Sequence, residues 1–153
     1  MRLTRIAALT DGLIRLGEYD NPEKASYRYR NPLGLRIFCV HGRGFGNCDT
    51  CPPQRPLLSR AWRGREWDKV SGMRMFKTHL DGYQAAVFDV TLKCSGKSHA
   101  NLPPDAGLID LCISYAMPGA RPAQALAKFL RRALDCDVTE NTELSFFLEA
   151  DNG

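Results

Sequence analysis

Between Cys39 and Pro56 the chain has almost no apolar periodicity, although the segments on either side of it do. Such a stretch seldom folds on hydrophobic burial alone, because it cannot offset the entropy of ordering its own backbone. It does carry the residues of a staple. Cys39, His41, Cys48 and Cys51 fall within 13 residues, as Cys-x-His, six residues, then Cys-x-x-Cys. Zinc takes four thiolate or imidazole ligands at tetrahedral corners, and two residues between cysteines let both sulfurs face one ion. Gly42, Gly44 and Gly46 give the connecting loop freedom to wrap back. The expected cofactor is a structural zinc, since four protein ligands close the coordination sphere to catalysis. A Cys48–Cys51 or Cys39–Cys51 disulfide, or free thiols, remain open alternatives. Cys94, Cys112 and Cys136 fall on or beside helical faces and read as small buried hydrophobes. An odd three left over speaks against a disulfide framework and for a reducing folding compartment. Gly42-Arg43-Gly44-Phe45-Gly46 does not match the dinucleotide fingerprint.

The flanking segments read as helices. Leu3, Ile6, Leu9, Leu13 and Leu16 share one face of a helix over residues 3–18, which should stop near Gly17. Tyr27 to Phe38 reads as short extended pieces with Leu33-Gly34 as a turn between them. Thr78 with Asp81 resembles a capping box and opens a second long helix, with Leu80, Tyr83, Val87, Val90 and Cys94 on its core face. Leu108, Leu111, Cys112 and Tyr115 mark a third, closed by Met117-Pro118-Gly119. Pro122 stands in the first turn of a fourth, whose core face would be Leu126, Phe129, Leu130 and Ala133. Asn141 or Thr142 would cap a last short helix through Phe147. The expected fold class is mostly α, of α+β type. A single helical domain over residues 1–153 would carry a loop-rich, zinc-stapled insertion at about residues 39–56.

At 153 residues and 44% hydrophobic content the chain can bury a core and is no low-complexity polymer. No run approaches the ~20 apolar residues a spanning helix needs, so membrane insertion is not expected. Met1 to Leu16 has Arg2, Arg5, Asp11 and Arg15 spread through it, which does not fit a secretory signal. Charge is uneven. Residues 1–75 hold 14 Lys/Arg against 7 Asp/Glu, and residues 76–153 hold 7 against 10. The first half is the side expected to meet an anionic partner. Arg55, Arg60, Arg63 and Arg65 interleave there with Trp62 and Trp67, as in a patch that neutralises phosphates and stacks on bases.

Gly17-Glu18-Tyr19, followed by Ser26-Tyr27-Arg28-Tyr29-Arg30-Asn31-Pro32-Leu33-Gly34-Leu35-Arg36, resembles the opening of a family of lysozyme-like phage and prophage proteins. Members are virion structural proteins or peptidoglycan lytic enzymes, muramidases or lytic transglycosylases. The family shows Glu-Gly-aromatic at the end of the first helix and a Ser-Tyr-Arg-Asn-Asn-Pro-Gly-Asn-Leu-Arg-like run about nine residues later. Met75 to Ala86 (MFKTHLDGYQAA) is similar to its Gly-aromatic-x-Ala helix start. Lys93 to Ser98, Leu108 to Pro118 and Leu134 to Leu144 resemble its later segments, in the same order. The departures fall on substrate contacts more than on fold. Asn31-Pro32-Leu33-Gly34 lacks the second Asn, and Tyr115-Ala116-Met117-Pro118 stands for Tyr-Ala-Pro-Pro.

The resemblance implies a lysozyme-like fold and peptidoglycan glycan strands as substrate. It also implies other virion proteins as partners, and a location in the particle or in the host cytoplasm before release. It makes Glu18 the general acid/base, a role one carboxylate can fill alone when the muramic acid hydroxyl itself attacks. From position alone Glu18 would read as a solvated helix-end residue. Tyr27, Asn31, Arg36 and Tyr115 would bind substrate, or else serve packing and loop hydrogen bonds. Three functions follow: a peptidoglycan glycosidase, a non-catalytic virion or wall-binding protein on the same fold, and a zinc-stabilised nucleic-acid-binding protein. His79 and His99 have no role in any of them.

Overall fold

In the computed structural model, residues 4–36, 66–68, 71–98, 102–103 and 105–149 are described. Among them the chain is mostly helical. In order come α1 (Arg5–Leu16), α2 (Ala25–Arg28), β1 (Glu66–Trp67), β2 (Arg74–Met75), α3 (His79–Cys94), α4 (Leu108–Ser114) and α5 (Ala120–Leu134). A 3-10 turn, Leu144–Leu148, follows. No helix among the described residues is long and apolar enough to cross a membrane. The chain divides into two units, one from residues 1–18 with 87–153 and one from residues 19–86.

The first unit is built on α1, α4, α5 and the second half of α3. Thr4 caps α1 by accepting a hydrogen bond from the Ala7 amide at 3.1 Å. Leu9 and Leu13 are buried as expected, joined by Ala8, Thr10 and Gly12 while Ile6 and Leu16 are half-buried, and the helix stops at Gly17 as its sequence implies. That face meets α5, whose buried residues are Ala123, Leu126, Ala127 and Leu130. The approach is close: a Cβ on Gly12 would lie 2.5 Å from Leu126 Cδ1. Gly12, with no side chain of its own, makes room for Leu126 and for Phe129, whose Cδ1 would lie 2.9 Å from such a Cβ, while Ala123 and Ala127 join the expected Leu126 and Leu130 as buried residues of α5. Phe129 is half-buried and Ala133 exposed. The 3-10 turn opens at Leu144 rather than at a capped Asn141 or Thr142. Thr142 Oγ1 instead accepts from the Thr139 amide at 2.9 Å, and Glu143 pairs with Gly107 as an isolated bridge.

The second unit centres on the loop that follows α2. Ala25–Arg28 is a single helical turn, not an extended piece, and Gly34 takes φ 63° to reverse the chain. The loop then lies along β2: Arg74 N–H donates to Leu35 O at 2.9 Å, Phe76 N–H to Tyr29 O at 2.8 Å, and Arg36 bridges Met73. β1 and β2 pair antiparallel, Glu66 against Met75 and Trp67 against Arg74. Thr78 opens α3 as expected, accepting from the Asp81 amide at 3.0 Å.

The expected core face of α3 is rotated. Leu80 is 63% exposed, while Gly82, Ala85, Ala86, Asp89, Val90, Lys93 and Cys94 are buried. The reason lies in two features that hydrophobic periodicity does not score, a glycine and a buried ion pair. A Cβ on Gly82 would stand 1.8 Å from the Arg30 carbonyl oxygen and 3.1 Å from Pro32 Cδ. Backbone cannot yield as a flexible side chain can. Gly82→Ala is therefore expected to destabilise the protein by about 3 kcal/mol or more, the upper range for overpacking. A urea midpoint unchanged from wild type would show that α3 and the Arg30 loop do not meet in this way.

Candidate active site

Glu18 stands one residue beyond the cap of α1. Gly17 donates to Leu13 O and Glu18 to Arg15 O, both at 3.1 Å, and the chain then turns left-handed. The left-handed residue is Glu18, at φ 52°, while Gly17 keeps φ −77°. A non-glycine residue there costs roughly 1–2 kcal/mol, which a glycine in the same position would avoid. The order Gly-Glu places the carboxylate on the left-handed residue. Its side chain is exposed.

Tyr27 belongs to a three-ring cluster in the second unit. Its ring centroid lies 5.5 Å from Tyr19 and 5.4 Å from His79, and Tyr19 lies 5.7 Å from His79. The Tyr19 hydroxyl is hydrogen-bonded to His79 Nδ1. Burial pushes the Tyr19 phenol above its ordinary pKa, and neighbouring Tyr27 adds to the shift. If the hydroxyl donates, Nε2 carries the ring proton and is the nitrogen left to meet a ligand. His79 had no role in the sequence reading, because a lone histidine at a helix start gives no sign of two tyrosines reaching it from about 50 residues upstream.

Asn31 is fully buried, and its amide is used by the loop. Nδ2 donates to Leu35 O at 2.8 Å and to Arg74 O at 2.9 Å, and Oδ1 accepts from the Leu35 amide at 2.8 Å. Of the two roles its sequence position allowed, it fills the loop-holding one. Arg36 is exposed and donates from Nη1 to Ser71 O at 3.2 Å. Nearby, Tyr29 donates its hydroxyl to Asp68, whose other oxygen accepts from the Ser71 amide at 3.0 Å.

Tyr115 likewise turns inward. Its hydroxyl donates to Asp89 Oδ2 at 2.6 Å, and Lys93 Nζ lies 3.2 Å from the same oxygen and 3.4 Å from the Tyr115 ring centroid. Burial pulls the Lys93 ammonium below its ordinary pKa, against the pull of Asp89, and drives the Tyr115 phenol well above its own. This triad joins α3 to the end of α4, and the sequence reading gave Asp89 no role.

Cys39, His41, Cys48, Cys51, His99, Trp62 and the four arginines from Arg55 to Arg65 lie outside the described residues. Among the described residues no group of three or more His, Cys, Asp or Glu could hold a metal. Trp67 is half-buried on β1. Cys94 and Cys112 are fully buried as expected, and Cys136 is half-buried. Burial pushes the Cys94 thiol up to about 12 and Cys112 to about 11, from an ordinary 9.0. The unfolded chain releases those protons first, so both thiols weaken folding as pH rises through their folded values. Cys94→Ala and Cys112→Ala are each expected to flatten the fall in urea midpoint between pH 9 and 11. An unchanged slope in both would mean that these thiols titrate normally.

No family model matches the chain, and neither a curated protein nor a solved structure shows significant similarity to it.

Proposed function

We propose that the chain is a peptidoglycan-cleaving glycosidase of lysozyme-like α+β fold and phage or prophage origin, a muramidase or a lytic transglycosylase. One observation carries the reading: an exposed carboxylate, Glu18, occupies a left-handed position at the end of a capped helix, with a glycine next to it that would fit better. Arg30, Ala116 and Asp135 take similar φ values, so the weight rests on the exposed carboxyl at the helix end rather than on its backbone angle.

Glu18 in its protonated form donates to the glycosidic oxygen as the C1–O bond breaks toward an oxocarbenium ion. In a transglycosylase the muramic acid C6 hydroxyl then attacks C1 and returns its proton to Glu18, giving a 1,6-anhydro end. In a muramidase water attacks instead. Within the second unit, Tyr27 with Tyr19 and His79 offers aromatic surface to a sugar. Arg36 suits the carboxylates of wall peptides. The test compares muropeptides released from purified peptidoglycan by wild type and by Glu18→Gln.

A second reading has its own support. Asn31 and Tyr115 spend their polar atoms inside the protein, which favours a non-catalytic wall-binding or virion structural protein. That reading predicts no muropeptides from either form.

Zinc belongs to the proposal through its donor set. Cys39, His41, Cys48 and Cys51 together offer three thiolates and an imidazole, a closed structural combination. Wild type is expected to hold one zinc per chain by elemental analysis and Cys48→Ser to lose it. A zinc-free wild type purified under reducing conditions, without chelator, would remove the metal from this account.

A further inference from the structure

α5 presents a row of cations that the charge balance of its half of the chain conceals. Residues 76–153 carry net negative charge, yet α5 contains Arg121, Lys128, Arg131 and Arg132 and no acid. Arg121, Lys128 and Arg132 are exposed, and at about 100° per residue they fall within roughly 40° of one another on the helix. They span about 16 Å along the axis. Arg131, also exposed, flanks the row on one side and donates Nη1 to Val138 O at 2.8 Å. Arg15 of α1, exposed, flanks it on the other, its guanidinium 4.9 Å above the Phe129 ring. Asp135, the left-handed residue that closes α5, is the acid beside the row.

Helix stability explains only part of this. Arg131 and Arg132 stand in the last turn, where cations suit the helix dipole. Arg121 stands in the first turn, where a cation opposes it and an acid would be favoured. Packing does not explain Arg121 or Lys128 either, since the buried side of α5 is Ala123, Leu126, Ala127 and Leu130.

We infer that this face binds a linear phosphodiester polymer of the cell wall, a polyol phosphate chain. Four cations, Arg15, Arg121, Lys128 and Arg132, match a flexible chain that carries one charge per repeat. The rest of the row is Gln124 and Ala125, with the Phe129 ring under Arg15. The row has no open ring on which bases could stack, since Phe129 is half-buried beneath Arg15, which favours a phosphate chain without bases over a single-stranded nucleic acid. The choice of the wall as its source rests on the glycosidase reading; the charge match does not.

The test measures binding of the full chain to poly(glycerol phosphate), with duplex DNA at equal phosphate concentration as comparison. Wild type is expected to bind the polyol chain, its affinity falling roughly 50-fold from 50 to 200 mM salt, as four phosphate contacts imply. Arg121→Glu with Lys128→Glu should weaken binding at least ten-fold with unchanged circular dichroism, and Arg121→Lys with Lys128→Arg should bind like wild type. Arg15→Gln, on the other helix, gives an independent arm with about a three-fold loss. No wild-type binding, charge-reversed protein binding as well as wild type, or tighter binding to duplex DNA would each overturn the inference. Muropeptide release from peptidoglycan stripped of polyol phosphate reports on Glu18 alone, so the two readings fail separately.

Discussion

Glu18→Gln is expected to cut muropeptide release by roughly 100- to 10,000-fold, the range that a positioned general acid contributes. The amide keeps the size and the left-handed backbone of the carboxyl but cannot give up a proton to a leaving oxygen. Folding should be untouched, because the side chain is exposed at the end of a helix whose cap and core lie elsewhere. Glu18→Gly separates strain from chemistry. It removes the steric conflict at φ 52° and should raise stability by up to about 1 kcal/mol while losing activity as fully as the glutamine variant. Opposite signs on stability and activity at one position would mark a residue kept for function at a structural cost. Mass spectrometry of the digests decides the reaction: 1,6-anhydro ends mark a transglycosylase and reducing ends a muramidase. Full activity in Glu18→Gln would reject the acid assignment whatever the fold.

Lys93→Ala is the largest expected effect on stability, about 3–5 kcal/mol, because it leaves Asp89 buried and charged without its cation. Among the described residues, Asp89 would keep the Tyr115 hydroxyl, at 2.6 Å, as its hydrogen-bond donor. The number is a cost of breaking the pair and not the worth of the pair, since the desolvation of two charges offsets much of their attraction. Replacing both, Asp89→Leu with Lys93→Met, should therefore recover most of the loss. Chemical unfolding of the single and double variants measures this directly. A double variant no better than Lys93→Ala would show instead that the ion pair stabilises the fold on its own account.

The Gly82 and Asn31 positions show how far the sequence motifs carry. Ser26 to Arg36 and Met75 to Ala86 stand apart in the sequence as two patterns, and the structure joins them. Asn31 holds the Leu35 and Arg74 carbonyls, and Gly82 admits the Arg30 carbonyl against α3. A glycine in a helix and an asparagine before a proline are notable in the sequence. They do not say which segment comes close, because that partner lies some 50 residues away along the chain.

What the residues alone determined was local. α1, α3, α4 and α5 were legible because apolar spacing, Thr78, Gly17 and Pro122 act within a few residues, where helix geometry is independent of the rest of the chain. Reduced, buried Cys94 and Cys112 followed from the same spacing. What only the tertiary structure decided was which side of each helix faces in, and which polar groups are used up inside. The buried side of α3 turned on an ion pair that counts as solvent-facing until Tyr115 covers it. The seam between α1 and α5 turned on Gly12, too small to register as hydrophobic, which admits Leu126 and Phe129. The Tyr19–Tyr27–His79 cluster, and the spending of Asn31 and Tyr115 on internal hydrogen bonds, needed long-range contacts. Hydrophobic periodicity weighs each side chain against water. Burial of a charge or a close backbone contact is weighed against a partner, and the partner comes only with the fold.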